Sequence, residues 1–217
     1  MTQPGEFNLA QALNGTLGRM DHITRFSSIP VIHPESVASH SWQAAMIGLL
    51  VSYDLNSEQP HTVDAGEVVK RCIVHDISEC VSGDIIRSYK HSNPAVEKAC
   101  EEADYQNTYE FSREFGKVVG DHIFVKWIHA KDDSLEGDVV RLADMMCAII
   151  YCVAEWHLGN RRLDAVLETN FQEIAWPFRE HLILGKYIIQ MFPTGKHTDA
   201  YKLDSSWVQT WSKRRGR

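Results

Sequence analysis

A chain of 217 residues, 44% of them hydrophobic, has the size and apolar content for one soluble globular domain with a sizeable core. Its formal net charge of −7 argues against a general nucleic-acid binder, although the final SKRRGR is locally basic. No run reaches the roughly 18 apolar residues of a membrane span, and the opening MTQPGEFNLAQALNG lacks the basic and apolar regions of a secretory leader. The five cysteines form no CxxC pair and read as reduced, buried thiols of a cytoplasmic protein.

The pattern is helical nearly throughout. SHSWQAAMIGLLVSYDL (39–55) carries apolar residues at helical spacing behind Ser36, a candidate N-cap. DAGEVVKRCIVHDISECV (64–81) opens on Asp64 with Glu67 three residues later, a capping-box variant, and Gly83 suits its end. A long helix starts after Asn93 as cap with Pro94 at the first helical position and runs past residue 120. Another is expected from about 134 to 157, ending near Gly159, and one or two more over 161–192. Pro193-Thr194-Gly195 then leads into a polar tail (193–217) that contains Trp207 and Trp211. No strand-like alternation and no phosphate-loop glycine pattern occurs. The expectation is an all-α helical bundle over 1–192.

The chemistry lies in RCIVHDISECVSGD, residues 71–84. An HD dipeptide alone is weak evidence, but this one interrupts an apolar helical run. At i, i+1 and i+4 on one helix, His75 and Glu79 share a face that Asp76 borders. A buried carboxylate needs a cation or hydrogen bonds to compensate it; Arg71 or Lys70 could serve, although both precede the cluster. A divalent ion suits better, with His40 and Asp144 as further ligands, each an ionisable residue set in an apolar helical run. Two imidazoles and two carboxylates make a mixed nitrogen and oxygen set that fits Mn, Co, Fe, Ni or Zn, with Mg as a harder alternative. Open positions for water or a substrate oxygen would make the arrangement catalytic.

The order His40, His75-Asp76, Asp144 resembles the HD-domain metal phosphohydrolases. Within them, RF at 25–26, PESVASHSW at 34–42, HDISECVSGDI at 75–85 and RLADMMCAIIY at 141–151 resemble the bacterial 5′-deoxynucleotidases of the YfbR type. Phage dATP triphosphohydrolases of the DatZ type share the skeleton. The similarity covers roughly residues 19–160. It implies Glu79 as general acid or base and Asp84 as a group beside the scissile bond. Arg25 would contact phosphate through its planar donor fork. Read without the resemblance, Glu79 is a solvated helix acid, Asp84 a turn acid and Arg25 a surface arginine. Phe26 departs from the family, which has a tryptophan against the sugar there; the apolar wall is kept with a smaller face. Arg87 and Lys90 are candidates for additional phosphate contacts, with a solvated charged loop as the alternative.

The resemblance implies metal-dependent hydrolysis of 5′-deoxynucleoside monophosphates to deoxynucleoside and phosphate, with a deoxynucleotide as partner and a homo-oligomer as assembly. The alternatives are release of triphosphate from dATP and a non-catalytic nucleotide-binding scaffold. A triphosphate pocket would draw on Lys90, Lys98, Lys117 and Lys126 as well as Arg87.

Overall fold

The computed structural model describes residues 7–202; the Trp207 and Trp211 pair and the basic end lie outside the described residues. Those residues are all-α, with one isolated antiparallel bridge between Thr24 and Ser36. In chain order the helices are α1 (Leu9–Asn14), α2 (Val37–Glu58), α3 (Ala65–Val74), α4 (Glu79–Ser82), α5 (Arg87–Lys90), α6 (Pro94–Ser112), α7 (Lys117–Ile128), α8 (Leu135–His157), α9 (Asp164–Asn170), α10 (Trp176–Phe178) and α11 (Gly185–Met191). Short 3-10 turns occupy Thr16–Asp21, Arg113–Phe115 and His197–Lys202, and a π turn spans Phe171–Ala175.

The chain forms two compact units. The first comprises Pro34–Arg141 with the chain before Ile29. Its core gathers Val37, Ile77, Cys80, Phe111 and Phe115, with Met20 from the first 3-10 turn. The helix starts follow from local chemistry. Ser36 Oγ accepts from the Ser39 N–H at 3.1 Å, Asp64 Oδ1 from the Glu67 N–H at 2.9 Å, and Asn93 Oδ1 from the N–H groups of Ala95 and Val96. Each cap thereby satisfies a donor that the first helical turn leaves open.

Two expected helices are interrupted. The segment 64–81 is α3 and α4 joined by a tight turn through His75–Ser78. The long helix after Asn93 breaks at Ser112, and the chain re-enters α7 through Gly116 at φ +76°. That conformation is accessible to glycine without the Cβ penalty. A Cβ at Gly120 would meet the Ser112 carbonyl, so α7 packs on the end of α6 too closely for any side chain there.

The second unit comprises Ile29–His33 with the chain from Leu142 onward. Buried Ile149, Leu163, Leu167, Leu184, Ile188 and Phe192 form its interior. Buried Glu155 on α8 accepts from the N–H groups of Ile32 (2.7 Å) and His33 (2.8 Å). Asn160 Nδ2 donates to the Pro30 carbonyl and Tyr151 Oη to that of His33, so the 29–33 loop is tied to the end of α8. Residues 193–202, at the start of the expected tail, contain the 3-10 turn in which Asp199 and Ala200 are buried. All five cysteines are free thiols and four are buried. No helix among the described residues is long and apolar enough to cross a membrane.

From Val37 to Tyr53, α2 carries no Asp, Glu, Lys or Arg. Its inner face buries Ala44, Ala45, Val51 and Leu55, and its outer face exposes Trp42, Met46, Leu50 and Tyr53. Because so long a helix starts on one side-chain cap, Ser36→Ala is expected to lower unfolding free energy by about 1 kcal/mol, measured by urea denaturation. An unchanged midpoint would show that the cap contributes nothing.

Candidate active site

His40 sits one turn into α2, fully buried. The chain ahead of it is fixed by backbone pairing: the Arg25 N–H donates to Glu35 O at 2.9 Å and the Val37 N–H to Ile23 O at 3.0 Å. This brings Arg25 and Glu35 side by side at the start of α2.

His75 and Asp76 lie in the turn between α3 and α4. There the backbone bonds run to the third residue back, Ile77 to Val74, Glu79 to Asp76 and Cys80 to Ile77. With 3-10 spacing, residues three apart eclipse one another. Asp76 and Glu79 therefore share a side, whereas regular α-helical spacing would pair His75 with Glu79. A physical cause is visible at His75, whose Nδ1–H donates to the Cys72 carbonyl at 2.7 Å and competes with the helical ladder.

The ring protons can be followed from one residue to the next. Arginine only donates, so His40 Nδ1 accepts from Arg25 Nη1 at 2.5 Å. The neutral His40 ring then carries its proton on Nε2, which donates to His75 Nε2 at 3.2 Å. His75 Nε2 bears a lone pair because its Nδ1 holds the proton. Asp76 Oδ2 lies 3.0 Å from His75 Nε2 and 3.5 Å from His40 Nε2. Two imidazole nitrogens and a carboxylate oxygen thus converge within 4.8 Å, in a place where acceptor faces acceptor. Such a cluster needs positive charge at its centre, and a divalent cation fits the donor set. Arg71 does not supply it: its guanidinium is spent on Glu67, Asp132, Ser134 and the His129 carbonyl, and Lys70 lies 4.0 Å from Glu67. Neither Arg71 nor Lys70 therefore forms the salt bridge that could stand in for a metal.

Glu79 is the most perturbed acid of the site. Its Oε2 is buried without a hydrogen-bond partner. Burial first, then the neighbouring Asp76 and Asp84 charges, push its pKa up to about 9, against the opposing pull of Arg25 and His75. In the metal-free protein this favours the neutral carboxylic acid, the form able to give up a proton. Burial likewise raises the Asp84 pKa, opposed by its hydrogen bond from the Phe26 N–H at 2.7 Å and by the Arg25 charge. Phe26 itself sits at φ +55°, a conformation that costs a non-glycine residue of order 1 kcal/mol or more. Its ring centroid lies 5.3 Å from the Arg25 guanidinium. Arg25 is 13% exposed, with Nη1 also 3.3 Å from Glu35 Oε2.

Two further candidates lie on α5. Lys90, at the end of α5, donates to Asp104 Oδ2 at 2.9 Å. Burial disfavours the Lys90 ammonium, but the Asp104 hydrogen bond and charge outweigh it and raise the pKa. Arg87 is exposed on the same short helix. Asp144 is half-buried on α8, within the second unit. Sequence reasoning missed Glu35 and Asp104. The signal for Asp104 was an acid at helical spacing from Thr108 and Phe111 on the buried stripe of α6. For Glu35 it was an acid directly ahead of a capping serine.

Raising a carboxyl pKa in the folded state makes its ionisation unfavourable to folding. The contribution of neutral Glu79 is complete below its ordinary value of 4.5 and is lost as pH climbs toward 9. In chelator-treated protein, Glu79→Gln is therefore expected to match the parent near pH 4 and to exceed its stability increasingly up to pH 9. A stability difference that stays constant across that range, followed by denaturant titration, would contradict the assigned environment.

The sequence model of the "5'-deoxynucleotidase YfbR-like" family matches residues 13–181. A 5′-deoxynucleotidase of Shewanella oneidensis is 29% identical over 164 residues, 71% of this chain and 83% of that protein. The 5′-deoxynucleotidase YfbR of Escherichia coli is 27% identical over 167 residues, 70% of this chain and 80% of that protein. An HD-domain phosphohydrolase structure from Listeria innocua shares the fold with a TM-score of 0.72 at 19% identity, covering 92% of this chain and 96% of that one. With its His-Asp cluster set in an all-α HD fold, the chain belongs to the YfbR-like 5′-deoxynucleotidase family of HD-domain phosphohydrolases.

Proposed function

We propose that this protein is a metal-dependent 5′-deoxynucleotidase that hydrolyses deoxynucleoside monophosphates to deoxynucleoside and inorganic phosphate. The observation that carries the proposal is the convergence of His40 Nε2, His75 Nε2 and Asp76 Oδ2 beside the buried Glu79 carboxyl. The sequence pattern supplies Asp144 as the fourth ligand. The mixed nitrogen and oxygen set favours Mn, Co, Fe, Ni or Zn over Mg. Such a cation supplies Lewis acidity, polarising a phosphoryl oxygen and lowering the pKa of a coordinated water.

The protein's own groups do the rest. Arg25 offers its donor fork to the phosphate oxygens. Glu79, its carboxyl buried beside the cluster, acts as general acid–base group for the reacting oxygens. Asp84 keeps Arg25 and Phe26 in place through the Phe26 N–H, and assists at the leaving 5′-oxygen. Phe26 gives the sugar an apolar wall, smaller than the tryptophan of the family pattern, so discrimination against a 2′-hydroxyl rests on less contact. Arg87 remains a phosphate contact from the exposed face of α5.

The charge census favours a monophosphate over a triphosphate. Lys90 is paired with Asp104, and Lys126 is held by both Glu67 oxygens at 2.7 and 2.9 Å. Lys117 lies 3.5 Å from Asp121 and Lys98 3.7 Å from Glu102, both on exposed surfaces. A pocket for three phosphates would require some of these cations to leave their acids. We further propose a cytoplasmic homo-oligomer, supported by the outer face of α2. A helix apolar on all sides is usually covered, and a second copy of the same face would cover Trp42, Met46, Leu50 and Tyr53.

With Mn, Co, Mg or Zn added, the protein is expected to release phosphate from dAMP, with AMP slower and no triphosphate from dATP. Asp144→Ala should lose both metal, read by elemental analysis, and turnover; Glu79→Ala should keep metal and lose about 10²–10⁴-fold in rate. Near-normal turnover of Glu79→Ala would remove its role, and triphosphate release from dATP would reverse the substrate order. For the assembly, Leu50→Glu should shift the mass in light scattering to that of a single chain. An unchanged mass would place the interface elsewhere.

A further inference from the structure

We propose that Glu35 is a positioning residue for the hydrolytic reaction: its buried carboxylate holds the Arg25 guanidinium where it meets the substrate phosphate. The inference rests on the reading of Arg25 as a phosphate contact. Glu35 is 2% exposed, and a carboxylate at that depth needs a cation or several donors to stay ionised. Arg25 Nη1 is such a cation, 3.3 Å from Glu35 Oε2. The backbone bond from the Arg25 N–H to the Glu35 carbonyl brackets the same two residues, so both side chains leave from adjoining, fixed points.

The two acceptors that Nη1 meets are not equivalent. His40 accepts at Nδ1 only while its ring proton sits on Nε2. A histidine that ligates a cation through Nε2 carries its proton on Nδ1, where it faces the Arg25 donor unfavourably. Glu35 has no proton to relocate and accepts in both situations. It is therefore the contact that keeps the guanidinium in register when His40 serves as a ligand. A guanidinium already ordered by a buried acid gives up little further freedom on binding phosphate. Glu35 thus acts through Arg25 and needs no contact with the substrate.

A double-mutant cycle tests this on the metal-loaded full-length protein, with Arg25→Ala, Glu35→Gln and the pair, read as kcat/KM for dAMP. Calorimetric binding of inorganic phosphate gives a second readout that is independent of turnover. Arg25→Ala is expected to lower kcat/KM by about 10²–10³-fold, and Glu35→Gln by about 10–100-fold with weaker phosphate binding. The double variant should be no worse than Arg25→Ala alone, because Glu35 has nothing to position once the guanidinium is gone. If Glu35→Gln does not fold, Glu35→Asp keeps the charge and withdraws the carboxylate by one methylene, and the same lack of additivity is expected. Losses that multiply in the double variant, or a Glu35 variant with parental kcat/KM and phosphate affinity, would overturn the assignment and leave Glu35 a fold residue. A parental kcat/KM for Arg25→Ala itself would instead overturn the phosphate reading of Arg25, and the Glu35 assignment with it.

Discussion

Two acceptor atoms held against each other beside the His40 ring are the constraint around which this site is organised. His75 Nε2 and Asp76 Oδ2 stand 3.0 Å apart, and both are acceptors when the residues carry their ordinary charges. Lone pairs do not approach so closely inside a protein without positive charge between or beside them. The outer atoms of the two rings are therefore tied down: Cys72 O takes the far proton of His75, and Arg25 meets the far nitrogen of His40. An outer contact such as that of His75 Nδ1–H with the Cys72 carbonyl fixes the orientation of a metal-ligating ring and tunes its basicity. The nearest cation along α3, Arg71, is diverted into a separate network with Glu67, Asp132 and Ser134. The protein thus keeps Arg71 out of the cluster, and Arg25 meets it from the outer side of His40.

The Arg25–Phe26 segment shows the same economy. Phe26 stays in a left-handed conformation because Asp84 accepts its N–H and the Arg25–Glu35 pairing fixes its neighbour. Strain held beside an ionisable cluster marks a candidate functional position. Asp84 has two carboxylate oxygens, and Oδ2 is the one used on the loop. A role in catalysis and a role in holding the loop are compatible for one residue, since the bond to Phe26 fixes the direction in which the carboxylate points.

Much of the fold was legible because helix starts are decided locally. Ser36, Asp64 and Asn93 cap as their types and spacings foretold, and Gly83 ends α4 at φ +72°. The breaks were not legible, because they arise from contacts that periodicity does not encode. The turn at His75–Ser78 reflects a side-chain bond to Cys72, and the break after Ser112 reflects the close approach of Gly120 to the end of α6. In the site, the histidines and Asp76 stood out as ionisable residues in apolar runs. Glu35 did not, since an acid one residue before a cap looks like an ordinary helix-start charge. Only its burial and its reach to Arg25 separate it from one. Lys90 pairs with Asp104, fourteen residues on, a partner that the spacing of charges along the chain does not reveal.

The congestion of acids sets how a phosphate can approach. Asp76, Glu79 and Asp84 fall within nine residues of one another, and a phosphate dianion entering among three carboxylates would be repelled by each that is ionised. Burial works against ionisation of Glu79 and so lessens this repulsion, and the Arg25 charge acts on both Glu79 and Asp84. In the proposed mode of binding, Arg25, Arg87 and a cation at the cluster face the phosphate while Lys90 is held by Asp104. A small anion can be neutralised by these alone. A longer polyphosphate would extend its further charges past them, toward cations that already have acids of their own.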